Sequence, residues 1–306
     1  SGYPQCEIAR VINKDKSVVS REIRRNADAR SGQYKDDLAH RKYLKRQAYK
    51  AKARTFTPEV EAYVRDKLRL KYSPEQIAGV AKTNGDNCVS HERIYQFIWQ
   101  DKRKKGTLYL DLRNRGRRYK KRSVIYDKRG TIPNRTDISL RPPEVEQRER
   151  FGDLEIDLII GKNHKNAILT INDRATGLAK LCKLTGKDAE QLAVATIDCL
   201  KDWKPYLHTI TSDNGKEFSS HQMIATELNI DFFFAKPFAS WQRGSNENYN
   251  RLVRQYIPKK VDFDYITHDY VKYVEQQLNN RPRKRFGYLS PNQVVSRVWN
   301  TLVKSG

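Results

Sequence analysis

Apolar residues recur in two rhythms along this chain. Up to about residue 100 they fall at helical spacing, and from Phe151 onward short alternating or continuous apolar runs interleave with helical ones. At the start, Ile8, Ala9, Val11 and Ile12 form one short helical pattern and Val18, Val19 and Ile23 a second. Asn13 suits the left-handed residue of a tight turn between them, and Ser17 suits the cap of the second helix. The pair reads as a helix-turn-helix whose second helix turns Ser17, Ser20, Arg21, Arg24 and Arg25 outward, the geometry that places a polar helix face on phosphates and base edges. An ordinary surface helix with a solvated basic face explains the same pattern equally well. The chain opens almost inside a helical pattern, so a segment ahead of Ser1 is expected.

A second helical pair follows. In "SPEQIAGVAK", Ser73 stands at an N-cap, Pro74 at the first helical position and Gln76 where a capping box needs it. After "TNGDN", Ser90 caps "SHERIYQFIW", in which Ile94, Phe97 and Ile98 recur at helical spacing. This too reads as a helix-turn-helix, with Ser90, His91 and Arg93 as candidate DNA contacts. The periodicity then lapses. From Lys102 to Arg150 the chain is basic, poor in apolar residues and broken by Gly and Pro. It reads as an extended linker that orders on DNA through Arg117, Arg118, Lys120 and Lys121, or as a plain solvated one.

From Phe151 the pattern becomes α/β. Strands are predicted over 154–160, 167–173, 179–184, 208–212 and 231–234, and helices over 188–203 and 219–228 and from about Asn246 and Tyr265. Three strands, helix, strand, helix, strand, then helices is the order of a ribonuclease-H-like sheet. The expected architecture is therefore multidomain: helix-turn-helix units at 1–50 and 51–101, a linker at 102–150, and an α/β ribonuclease-H-like domain at 151–306.

Charge narrows the partner. The 306 residues carry 60 Lys and Arg against 36 Asp and Glu, a formal net charge of +24, and a polyanion such as nucleic acid is the natural ligand of such a surface. Cys6, Cys88, Cys182 and Cys199 are too far apart for a C-x-x-C zinc module and form no disulfide framework, which favours a reducing cytoplasm. No apolar run approaches the length of a membrane span.

Against this basic background the acids stand out. Alternation along "GDLEIDLIIG" puts Asp153, Glu155 and Asp157 on one strand face. Asp213 follows a short strand in "TSDNGKEF", where ligands of open α/β sheets bind. Glu247 lies in the first turn of a helix whose Tyr249, Leu252, Val253 and Tyr256 share one face, while Glu247, Asn250, Arg251 and Arg254 share another. Carboxylates from a first strand, a fourth strand and a late helix can converge on two hard divalent cations, which clamp both oxygens of an in-line displacement at phosphorus. Taken singly, each acid is better explained as a cap or a surface charge. Glu155, Asp153 and Asp173 are alternatives to Asp157.

"GDLEIDLIIG", "SDNGKEF" and "RGSNENYNRLVRQYIPK" together resemble the IS-thirty family of bacterial insertion-sequence transposases, DDE enzymes of the retroviral integrase superfamily. Thirty-three residues separate Asp213 from Glu247, the spacing of that family. "SVVSREIRRN", "SPEQIAG" with "SHERIYQFI", and "LNNRPRKRFGYLSPNQV" resemble its two DNA-binding elements and its C-terminal end, so the likeness covers nearly the whole chain. It implies that Asp157, Asp213 and Glu247 are the catalytic, metal-binding triad for two Mg2+ ions, with Mn2+ as substitute. It implies that Arg254 engages DNA near the reacting end, and that Arg251, standing where many relatives have Gly, alters that contact. Double-stranded DNA, as inverted-repeat ends and target, a homodimer or higher oligomer, and a bacterial cytoplasm or nucleoid follow as further expectations. A DNA-binding regulator with a silent catalytic fold and a structure-specific nuclease are the competing readings.

Overall fold

The computed structural model describes residues 2–49, 56–115, 132–162, 166–186, 188–237, 239–259 and 261–304 and divides the chain into Ser1–Thr55 and Phe56–Gly306. In the first unit α1 (Gln5–Val11) and α2 (Lys16–Asn26) flank a turn in which Asn13 has φ of 51°. Asp15 caps α2, its Oδ1 accepting from Ser17 N at 2.8 Å. The expected cap, Ser17, instead lies inside the helix, because a carboxylate answers the positive end of a helix better than a hydroxyl. α3 (Asp36–Tyr49) is tied to the end of α2 by Lys42 Nζ donating to Ala27 O and Arg46 Nη2 to Asn26 Oδ1, both at 2.6 Å.

The second unit opens with three helices, α4 (Pro58–Arg69), α5 (Pro74–Asn84) and α6 (His91–Arg103). Ser73 and Gln76 form the reciprocal capping box, Gly85 closes α5 in the left-handed conformation, and Ser90 accepts from Arg93 N. Val60, Val64, Leu68, Ile77, Val89, Ile94, Ile98 and Leu112 form the core of this subunit of the fold. Phe97, expected inside with them, is only half-buried. Its ring meets Phe56 at 4.9 Å between centroids, and Arg65 lies over it.

The stretch read as a linker is built into its neighbours at both described ends. Leu112 enters the helical core just after a 3-10 turn at Leu108–Asp111. Beyond residue 131, β1 (Thr136–Asp137) joins the sheet, and Ile132, Ile138 and Val145 of the last, from α7 (Glu144–Gln147), are buried. A few apolar residues suffice for this, too few to show as a period.

The sheet continues with β2 (Asp153–Ile160), β3 (Ala167–Asp173), β4 (Ala179–Leu184), β5 (Thr209–Ser212) and β6 (Asp231–Phe234) in the order β1-β6-β5-β2-β3-β4. β2, β3 and β4 form an antiparallel meander; β5 lies parallel to β2, β6 to β5 and β1 to β6. This is the expected ribonuclease-H-like arrangement with one short strand added at its edge. Leu154, Ile156 and Ile210 pack with residues of α8 (Ala189–Leu200) and α9 (His221–Leu228). On the other face Ile159 and Ile168 pack with Leu252 and Val253 of α10 (Gly244–Tyr256) and Val271 and Val274 of α11 (His268–Asn279). α12 (Pro291–Lys304) follows. Among the described residues no helix is long and apolar enough to cross a membrane.

Two local features fix how the sheet and the helical core meet the site. Gly152, at φ 103°, donates to Asp173 Oδ1 at 2.9 Å and accepts from His208 N at 3.0 Å, holding the starts of β2 and β5 together. A Cβ there would lie 1.8 Å from Tyr206 O. Gly152→Ala is expected to cost at least about 3 kcal/mol, from disfavoured backbone and backbone clash together, read as a lowered urea midpoint. The second feature joins α5 to α10: Gln76 Nε2 donates to Pro282 O at 2.6 Å, while the buried Arg281 donates to Gln76 Oε1 at 3.1 Å and to Gln255 Oε1 at 2.8 Å. Gln255 in turn donates to Asp111 O at 2.7 Å.

Candidate active site

Asp157 sits within β2 opposite Thr170 of β3. Across the parallel pairing, Asp153, Leu154 and Glu155 lie beside Thr209, Ile210 and Thr211. Carried two residues further, the same offset lays Asp213, just past the end of β5, beside Asp157. Both acids face one guanidinium: Arg243 Nη1 is 3.8 Å from Asp157 Oδ2 and Arg243 Nη2 is 3.6 Å from Asp213 Oδ2. Arg243 is itself held by donating to Ile156 O at 3.0 Å.

Asp157 is further oriented from both sides. Its Oδ1 accepts from Leu158 N at 2.9 Å and its Oδ2 from Asn250 Nδ2 at 2.7 Å. The Thr170 hydroxyl donates to Asn250 Oδ1 at 2.9 Å, which aims the amide nitrogen at the acid. Burial pushes the Asp157 carboxyl up to about 6; Arg243 opposes that shift and the Asp213 charge adds to it. The folded chain thus keeps a proton that the unfolded chain releases near 4, so this group's contribution to stability falls as pH rises from about 4 to about 6 and is level above. In metal-free buffer, the stability of the native chain relative to Asp157→Asn is expected to fall by up to about 3 kcal/mol over that window, measured by urea unfolding at stepped pH. A difference that is flat with pH would contradict the buried charge.

Glu247 occupies the first turn of α10, 42% exposed, and accepts from Arg251 one turn on. It shares with Asp157 a cleft of about 500 Å3 that Arg113, Arg243, Asn250 and Arg254 also line. Asp157 and Asp213 therefore face one arginine and Glu247 another, and among the described residues no three Asp, Glu, His or Cys side chains stand close enough together to hold a metal ion.

The alternative acids are engaged elsewhere. Glu155 is fully buried, paired with Arg174 Nη1 at 2.6 Å and accepting from Asn246 N, in the first turn of α10, at 2.8 Å. Asp153 accepts two bonds from Arg150, at 2.8 and 3.1 Å, and one from Thr209. Asp173 accepts from Gly152 N, Thr176 N and the Thr176 hydroxyl. Asp153 and Glu155 share the strand face of Asp157, whereas Asp173, registered with Leu154, lies on the opposite face, and each of the three closes a structural contact.

Of the expected DNA contacts, Ser17, Ser20, Arg21, Arg24 and Arg25 are exposed on α2, with Arg21 donating to the Ser17 hydroxyl at 3.1 Å. Ser90 and His91 are exposed at the start of α6, and Arg93 lies over the Phe56 ring at 5.1 Å. Arg254 lines the cleft but donates to Ile160 O at 2.9 Å, fastening α10 to the end of β2. Arg117, Arg118, Lys120 and Lys121 lie outside the described residues. The sequence reading missed Arg243, Thr170 and the role of Asn250. Asn250 had a legible signal: it stands three residues after Glu247 on the helix face turned away from the core.

Comparison with known proteins gives a consistent picture. A family model described as a helix-turn-helix domain matches residues 1–26. The chain is 52% identical over 293 residues to the transposase for insertion sequence element IS4351 of Bacteroides fragilis, covering 96% of this chain and 90% of that protein. It is 30% identical over 303 residues to the transposase InsI for insertion sequence element IS30A of Escherichia coli K12, covering 95% and 78%. A crystal structure of the catalytic core domain of BIV integrase superposes on 49% of this chain and 97% of its own at 18% identity and a TM-score of 0.40, too loosely to add to the strand order.

Proposed function

The chain belongs to the insertion-sequence transposases, and on that footing we propose that it binds the terminal inverted repeats of its own element and cuts and joins DNA there. The observation that carries the reading is the placement of Asp157 and Asp213 side by side on adjacent parallel strands, facing one cation beside a cleft whose remaining charges are mostly arginines. Hydrolysis of a phosphodiester at the element end frees a 3′ hydroxyl, which then attacks another strand. No covalent protein intermediate is required, because the DNA hydroxyl is the second nucleophile.

The donor set fits a hard divalent cation. Two carboxylates converge on a single positive group, and the raised proton affinity of Asp157, which comes first from burial and then from the Asp213 charge, is a cost that a bound cation would offset. Asp157 and Asp213 would hold Mg2+ or Mn2+, with Glu247 joining them on release from Arg251, in the two-cation arrangement of DDE enzymes. When bound, such ions activate water and stabilise the charge that develops at phosphorus. Asn250 would keep Asp157 aimed, since Thr170 fixes its amide, and Arg243 would yield its two carboxylates. Arg251, released from Glu247, would be left to face the DNA.

The exposed basic face of α2 and the start of α6 support a DNA-binding role for the two helix-turn-helix units. Work as a dimer or larger assembly bridging two ends, in the bacterial cytoplasm on chromosomal DNA, follows from the family. The test is direct: full-length chain, Mg2+ or Mn2+, and duplex carrying the inverted repeats that flank its gene. Nicking or strand transfer by the native chain and none by Asp157→Ala supports the reading. Intact DNA with both sinks it, and cleavage that survives scrambling of the repeat turns it into a structure-specific nuclease.

A further inference from the structure

The helical part of the second unit sends one residue into the catalytic cleft. Arg113 follows the 3-10 turn after α6, and its neighbours fix its course: Leu112 is buried in the helical core, Asp111 O accepts from Gln255 at the end of α10, and Asp111 pairs with Lys71. Arg113 reaches α10 itself, where its Nη2 donates to Asn248 O at 3.0 Å and to Asn248 Oδ1 at 2.9 Å. It lines the cleft with Asp157, Glu247 and Arg251. Both hydrogen bonds use the same nitrogen, so Nε and Nη1 have no acceptor among the described residues. No carboxylate pairs with Arg113 there. Desolvation first, and the charge of nearby Arg251 second, pull the Arg113 guanidinium below its ordinary range.

A cation anchored by backbone on either side, with donors unused and facing a second cation, is arranged for an anion that arrives from outside. We propose that Arg113 binds a backbone phosphodiester of the DNA lying in the catalytic cleft, so that the segment following the second helix-turn-helix unit contributes a substrate contact at the active site. This deepens the transposase reading and rests on it. The Asn248 bonds hold one edge of the guanidinium and leave the other edge to the phosphate. The contact reads no base, so it acts on every sequence alike.

The experiment measures binding of the full chain to random-sequence duplex across a salt series for the native chain, Arg113→Ala and Arg113→Lys. Loss of one phosphate contact is expected to lower the slope of log affinity against log salt by about 0.9 in Arg113→Ala, with Arg113→Lys keeping the native slope. On duplex carrying the element end, Arg113→Ala is expected to raise KM about tenfold or more, in line with one charge-assisted contact. A weaker affinity with unchanged slope would show Arg113 to be only a strut between helices, and an unchanged slope and affinity would remove it from DNA altogether; either overturns the proposal. If the native chain cuts no DNA, the transposase reading fails, and the salt slope still decides whether Arg113 touches phosphate.

Discussion

Asp213→Asn and Asp157→Asn are each expected to lower metal-dependent cleavage of the element end by on the order of a thousandfold or more, with affinity for the same DNA held close to native. The two aspartates face each other's charge across Arg243, while the basic helices proposed to bind DNA are separate elements. Chemistry and binding therefore separate. Measuring single-turnover cleavage beside electrophoretic binding checks this. Activity retained in either variant would take that acid out of the metal set. Glu247→Gln belongs to the same series: a loss as large as that of the aspartates supports its joining them, and a loss below about tenfold leaves it as the partner of Arg251.

Glu155→Ala carries the largest expected effect on stability. Glu155 and Arg174 are 0% and 1% exposed at the side chain and 2.6 Å apart, and the same carboxylate accepts from the start of α10. Removing it leaves a buried guanidinium held by Glu146 and by Val145 O, with no partner for Nη1 among the described residues, and a helix start without its acceptor. A loss of about 3 to 5 kcal/mol is expected for breaking such a pair, seen as a fall in Tm of roughly 10 °C for a unit of this size. Glu155→Gln keeps the acceptor and is expected to lose less. If Glu155→Ala folds with native stability and is catalytically dead, Glu155 belongs to the chemistry and Asp157 to the scaffold.

The contrast between these acids shows how far the sequence could be read. The strands were legible because their apolar runs are bounded by Gly, Asn and Asp; β3, β4 and β6 fall on the expected residues, 167–173, 179–184 and 231–234. The buried face of α10 was legible from spacings of three and four, with Tyr249, Leu252 and Val253 inside. β1 was not, since two residues carry no period. Glu155 and Asp157 share a strand face and a chemistry, so alternation alone gives them equal standing. What separates them is Arg174, brought up from the turn after β3, and Asn250, brought down from α10, and neither contact has a sequence spacing of its own. Arg243 was hidden for a related reason: in a chain with 60 basic residues, one more arginine beside a helix start carries no signal until its two partners are in place.

Gln76 was read as a helix-start signal, local to four residues, and it does close the capping box with Ser73. Its remaining amide valences belong to Pro282 and Arg281, more than 200 positions away. Glutamate serves a capping box as well as glutamine does, but it has no N–H for Pro282 O. An interchange that is silent for the helix would thus be felt at the far end of the gene. One side chain therefore ties the start of α5 to the turn after α11, and a substitution at position 76 is expected to be felt at Arg281 and Pro282.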